Sequence, residues 1–233
     1  MSRNKRTLIV LGATLVFSSC SVLYSLAVSY FISLLYGNTI TIYSLTIGSY
    51  MLFLGIGALF YEKISHKYGI EMLLYTELLL VLTAFFAPLA ISWMSAKGIP
   101  YDVKLYGSFF ILGIIGILSG IELPLLMGLE KEKLAGIIGI DYFGGLIGSL
   151  LYIFFFLPYV NTVAVFHYIA FFNLVTAVLF YYFYKKSLNE NINYKMIALM
   201  VLTGIILAVY SEKIQKLTQY YFINKRLQLK VYL

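Results

Sequence analysis

The chain has 233 residues, of which 61% are hydrophobic and only 12% charged, and its mean hydropathy is +0.90. A soluble domain of this size could not cover so much apolar surface, so the composition excludes that class and predicts a row of membrane spans. The net charge of +7 reads as basic residues gathered in cytoplasmic loops, not as a nucleic-acid surface, and a single cysteine, Cys20, excludes an internal disulfide or a cysteine-based metal site.

In chain order the apolar runs fall at 7–35, 41–61, 70–94, 105–128, 134–157, 160–184 and 196–211. The first continues past "VFSSC" to Leu35, which argues against signal cleavage at Cys20. Short connections separate the runs: "YGNTIT", "EKISHK", "SAKGIPYDVK", "LEKEK", "LPYVN" and "KKSLNENINYK". Six runs are long enough to cross a core of about 30 Å. The seventh is about 24 Å long as a helix and falls short unless its flanks snorkel. Beyond it, "SEKIQKLTQYYF" has helical period, and "LQLKVYL" alternates as the start of a strand would. The expected fold is an all-α polytopic membrane helix bundle with six transmembrane helices and an open question at the seventh. Residues 1–190 form the bundle domain, and 191–233 hold the seventh helix and a basic tail.

Orientation follows from Lys and Arg. Arg3, Lys5, Arg6, Lys63, Lys67, Lys131, Lys133, Lys185, Lys186 and Lys195 fall on one side, against Lys97 and Lys104 on the other. This bias puts the N-terminus in the cytoplasm of a multi-pass cell-membrane protein. Lys213, Lys216, Lys225, Arg226 and Lys230 follow the seventh run. Charge favours an internal tail, whereas apolar length weakly favours a span.

Glu77, Glu122 and Asp141 interrupt three otherwise apolar runs. Counted from the cytoplasmic helix ends, each lies about 9–11 Å below the same membrane face. No Lys or Arg in the six firm spans can pair with them. An ionised carboxylate at that depth costs a few kcal/mol or more, so each must be protonated, hydrogen-bonded or beside an aqueous cavity. One reading is a shared pocket for a cation or a proton. The other is three protonated acids bonded to Ser, Tyr or backbone groups of neighbouring helices.

Pro124 removes the partner of the Gly120 carbonyl and allows a kink beside Glu122. The pairs Gly116 with Gly120 and Gly144 with Gly148 place small residues on one helix face, which suits close helix packing. His167 and Asn173 fall in the sixth span; a structural role suits His167 better than proton relay. Tyr36, Tyr43 and Tyr50 repeat every seven residues, as a packing seam would.

Several motifs resemble a known family. "SGIELPLLMGLEKE", "GIDYFGGLIGSLLYIFFFLPYVN", the first-loop "GNTI" and the acid opening "ELLLVLTAF" are similar to the N-terminal membrane domain of membrane-attached spermidine synthase-like (polyamine aminopropyltransferase) proteins. The resemblance covers about residues 10–185. It implies that Glu77, Glu122 and Asp141 occupy the family's acidic positions. Ser25, in "VLYSL", stands where the family usually has another acid. The family's catalytic domain needs a glycine-rich cofactor loop, whereas after Ser149 this sequence has one glycine, Gly204. The six-helix portion also resembles half of a major-facilitator transporter.

The resemblance implies a membrane domain or subunit associated with spermidine synthesis, noncatalytic by itself. It would anchor or channel for an aminopropyltransferase, with no cofactor and no metal of its own. The partners expected are the lipid bilayer and either a separately encoded aminopropyltransferase or a second copy of the chain, with no nucleic acid. A cation or polyamine transporter acting as an oligomer, and a structural assembly protein, are the alternatives. Topology is open to direct measurement. Cysteines introduced at Asn38 and Lys97 are expected to react with an impermeant thiol reagent from outside, and those at Ser65 and Glu132 to be protected. For Asn224 the charge balance predicts protection.

Overall fold

The computed structural model describes residues 3–37, 40–64, 69–97, 99–188 and 190–231, without the side chains of 3–4, 62–64 and 224–231. Asn38, Ser65 and Lys67 lie outside the described residues. The elements are α1 (Arg3–Tyr36), α2 (Ile40–Ile64), α3 (Gly69–Ala96), α4 (Tyr101–Leu129), a 3-10 turn at Lys131–Lys133, α5 (Leu134–Leu151), a π-helical stretch at Tyr152–Phe156, α6 (Leu157–Tyr159), α7 (Thr162–Leu188) and α8 (Tyr194–Val231). From the 3-10 turn through α6 the chain forms one continuous apolar helical segment, Lys131–Tyr159. Among the described residues, seven helical segments are long and apolar enough to cross a membrane. Helices suit that setting because every backbone group finds its partner within its own segment.

The helices divide into an inner and an outer set. In α1, α3, α4 and α7, 50–61% of the most apolar window is buried, against 17% in α2, the α5–α6 span and α8. Helix α1 is the hub and touches α2, α3, α4, α5 and α7. Its buried Val10, Ala13, Phe17, Cys20, Tyr24, Ala27 and Phe31 alternate three- and four-residue steps, the spacing that keeps one seam facing its partners. The outer helices leave Met51, Leu59, Phe143, Leu150, Leu202 and Ile206 exposed, an apolar surface suited to lipid.

Outer helices are held by backbone proximity. A methyl added at Gly120 on α4 would overlap the Leu54 carbonyl of α2, and one at Gly57 would overlap the Ile117 carbonyl. Gly116 backs onto Phe53 in the same interface. On the other flank, a Cβ at Gly144 or Gly148 would lie 2.5 Å from the carbonyl oxygen of Leu15 or Ser19 on α1. Ser19 Oγ donates to the Gly144 carbonyl at 2.9 Å, and Ser18 Oγ to that of Asp141 at 2.5 Å. Small residues let the backbones approach, and the serines then bond across the gap.

Ion pairs tie the end that carries Arg6. The Arg6 guanidinium grips the buried Glu130 carboxylate through two hydrogen bonds, Nε at 3.0 Å and Nη2 at 3.2 Å. Lys185 reaches Glu190 at 2.7 Å and Glu71 at 3.4 Å, joining α3 to the link between α7 and α8.

Two sequence expectations change. Residues 227–231 are helical, not the start of a strand. Leu, Gln and Lys are all good helix formers, and a helix already under way gains one hydrogen bond for each residue added. Helix α8 also runs well past the apolar run at 196–211. It packs on α3 and α7, stacks Phe222 on Phe31, and brings Leu217 and Tyr221 beside Trp93. Lys213 and Lys216 therefore lie towards the end opposite Arg6, and Asn224 is expected to label with Lys97, not with Glu132. The tyrosine repeat keeps a packing role, with Tyr36 and Tyr50 buried in one apolar cluster, although Tyr36 closes α1 whereas Tyr43 and Tyr50 belong to α2. The turn between them starts at Gly37, whose φ of 142° favours glycine, so no single helix face carries the repeat.

Backbone-to-backbone packing has a measurable signature. Gly120→Ala and Gly148→Ala should each destabilise the detergent-solubilised protein by about 1–3 kcal/mol, the usual cost of overpacking. Gly12→Ala, where an added methyl meets nothing within 4 Å, should be neutral or gain up to about 1 kcal/mol from helix propensity. Equal melting temperatures for all three would refute the close-contact account.

Candidate functional site

The core separates into two apolar clusters along the bundle axis. One gathers Val10, Phe17, Leu73, Leu74, Leu125 and Tyr181; the other gathers Tyr24, Phe31, Leu80, Ile91, Leu112 and Phe166. The acids lie at the border. On α3, Glu77 sits between Leu74 and Leu80, and on α4, Glu122 follows Ile121. Both are buried, with 0% and 4% of their surface exposed.

Structure brings Glu77 and Glu122 together, close enough for their carboxyl groups to hydrogen-bond to each other. Asn173 Nδ2, from α7, donates to Glu77 Oε2 at 2.9 Å. The Tyr24 hydroxyl of α1 approaches Asn173. Glu77 Oε1 and Glu122 Oε1 are buried without a donor. An ionised carboxylate only accepts hydrogen bonds, so two facing carboxylates cannot satisfy each other. One proton between them turns one into a donor and satisfies both; a bound cation would serve the same purpose. Among the described residues, none of the four ion pairs reaches Glu77, Glu122 or Asp141.

Asp141 joins through a cavity. A space of about 100 Å³ is lined by Glu122 and Asp141 together with Thr14, Ser18, Ser21 and Ser119, and closed by apolar groups including Leu54 and Leu123. Asp141 is only partly buried. Glu122 therefore faces two ways, towards sealed Glu77 and towards the cavity it shares with Asp141. Ser119 Oγ, also in the cavity wall, is buried without a partner of hydrogen-bond geometry. No group of three His, Cys, Asp or Glu side chains converges to hold a metal ion among the described residues.

Other singled-out residues fall around or away from this site. Gly116, Gly120, Gly144 and Gly148 sit in the interfaces that position α4 and α5. Pro124 lies two residues beyond Glu122, within a helix that continues to Leu129. Ser25 is buried in α1. His167 stacks on Phe85, with ring centroids 4.0 Å apart, and its Nδ1 lies 3.0 Å from Gln215 Nε2. Asn173 carries more than the sequence suggested. Tyr24 and Ser119 lie inside the stretches "VLYSL" and "SGIELPLLMGLEKE" without being singled out there, and Ser18 lies in no motif; their place at the site emerges only from packing.

No family model matches the chain, and no solved structure matches it. Curated proteins named polyamine aminopropyltransferase do. One from Leptospira interrogans is 34% identical over 153 residues, 63% of this chain and 30% of the relative. One from Oceanobacillus iheyensis is 26% identical over 200 residues, 83% of this chain and 39% of the relative. A third, polyamine aminopropyltransferase 2 of Aquifex aeolicus, is 27% identical over 193 residues, 80% of this chain and 37% of the relative. The chain thus spans between 30% and 39% of the length of these relatives, and its similarity is to proteins named for polyamine aminopropyl transfer.

Proposed function

We propose that this chain is a membrane-embedded helical unit of a polyamine-synthesis system. By itself it is noncatalytic; it anchors an aminopropyltransferase and holds a cation of the amine class among Glu77, Glu122 and Asp141. The observation that carries this reading is an acid site that no ion pair reaches among the described residues: two buried carboxyls in contact, and a third across a small cavity, in a chain similar to polyamine aminopropyltransferases. Intramembrane acids without a basic partner mark ion or substrate sites by default. The similarity supplies the class of cation, because polyamines are the molecules for which the relatives are named.

Ligand-dependent stability tests the reading. Putrescine or spermidine should raise the melting temperature of the detergent-solubilised protein, because a ligand that binds only the folded state stabilises it, by about 2.7 kcal/mol at a hundredfold excess over Kd. Glu122→Gln and Asp141→Asn should keep the fold and abolish the shift. Flat melting curves across putrescine, spermidine, sodium and magnesium would reduce the acids to neutral helix-packing groups. The same preparation, free of other proteins, should transfer no aminopropyl group from decarboxylated S-adenosylmethionine to putrescine; turnover would overturn the noncatalytic assignment.

A further inference from the structure

Cavity, contact and orphaned atoms together suggest how such a site works. The space beside Glu122 and Asp141, about 100 Å³, suits one small head group. Four hydroxyl-bearing side chains and two carboxylates offer acceptors, and Phe17, Val22, Leu54, Leu123 and Leu126 offer an apolar wall. That combination fits a primary alkylammonium: three N–H donors on a short methylene stem. Among the described residues no three His, Cys, Asp or Glu side chains converge there to hold a metal ion, and the apolar wall suits a methylene stem better than the hydration shell of a hard divalent cation.

Glu77 is on the other side of Glu122, away from the cavity lining. It has one oxygen tied to Asn173 and the other without a donor. Facing the pair are Cys20 and Tyr24 of α1, Tyr50 of α2, Asp141 of α5 and Asn173 of α7. None of these groups carries a positive charge. The pair therefore needs a proton when the cavity is empty. An ammonium seated against Glu122 supplies the positive charge that the proton otherwise supplies.

We propose that the site exchanges one for the other: a primary alkylammonium binding at Glu122 and Asp141 displaces the single proton shared by Glu122 and Glu77. The inference rests on the cation-site reading above. Its balance is simple. The ammonium enters with one positive charge, the O–H bond of the shared proton breaks, both carboxyls become ionised, and the proton passes to water.

Putrescine and methylammonium are the probes. The full chain, in detergent and weak buffer with a pH indicator, should release one proton for each cation bound. Affinity should rise about tenfold per pH unit while the pair holds its proton. Infrared difference spectra should show loss of a protonated carboxyl band on binding. In Glu77→Gln the amide donates to Glu122 and no proton is shared. Binding there should be weaker, independent of pH and without proton release. Binding to the wild type with no proton release and a flat pH profile would overturn the exchange while leaving the cation site intact. Absence of binding by either probe would remove the site itself, and the exchange with it. Should Glu77→Gln fail to fold, the wild-type proton count and infrared band still decide the matter.

Discussion

Two carboxyl groups from different helices meet in the apolar core, and among the described residues no ion pair reaches either of them. A buried charge of this kind is tolerated only when hydrogen bonds or a counter-charge meet it. The surroundings of Glu77 and Glu122 follow from that constraint. Asn173 is turned inward from α7 to donate to Glu77, Tyr24 is carried in by the hub helix, and a polar cavity opens on the far side of Glu122. Two apolar clusters, above and below, keep this belt apart from either end of the bundle.

The glycine interfaces serve the same site. Glu122 and Asp141 lie on α4 and α5. Helix α5 reaches α1 only because Gly144 and Gly148 present no side chain to Leu15 and Ser19. Gly120 and Gly57 do the same for α4 and α2, and this draws Leu54 into the cavity wall. Separation of these helices by one side-chain layer would open the cavity to lipid and part Asp141 from Glu122. Helices α2 and α5 are thus walls of the site as well as part of the outer layer of the bundle.

Much of this was legible in the sequence, for physical reasons. Runs of apolar residues bounded by Lys and Glu set where helices cross, because spanning length is fixed by lipid thickness. That Glu77 and Glu122 lie at one level of the bundle followed from helical rise alone. Their contact did not, because depth says nothing about which helices are neighbours. Asn173 and Tyr24 were illegible as partners for the same reason: a polar residue in a span shows that something faces it, not what. The far end of α8 was misjudged because alternation over a few residues in "LQLKVYL" imitates a strand. Arg6 with Glu130 was invisible too, since 124 residues separate them.

The position of α1 has a consequence for biogenesis. This helix is synthesised first, yet two of its principal neighbours, α5 and α7, come more than a hundred residues later. Until they arrive, Ser18 and Tyr24 lack the partners that those helices supply, whereas Ser19 can still donate to the Leu15 carbonyl of its own helix. Non-local contacts of this kind delay closure of a fold. The polar belt is therefore complete only once the second half of the chain is in place.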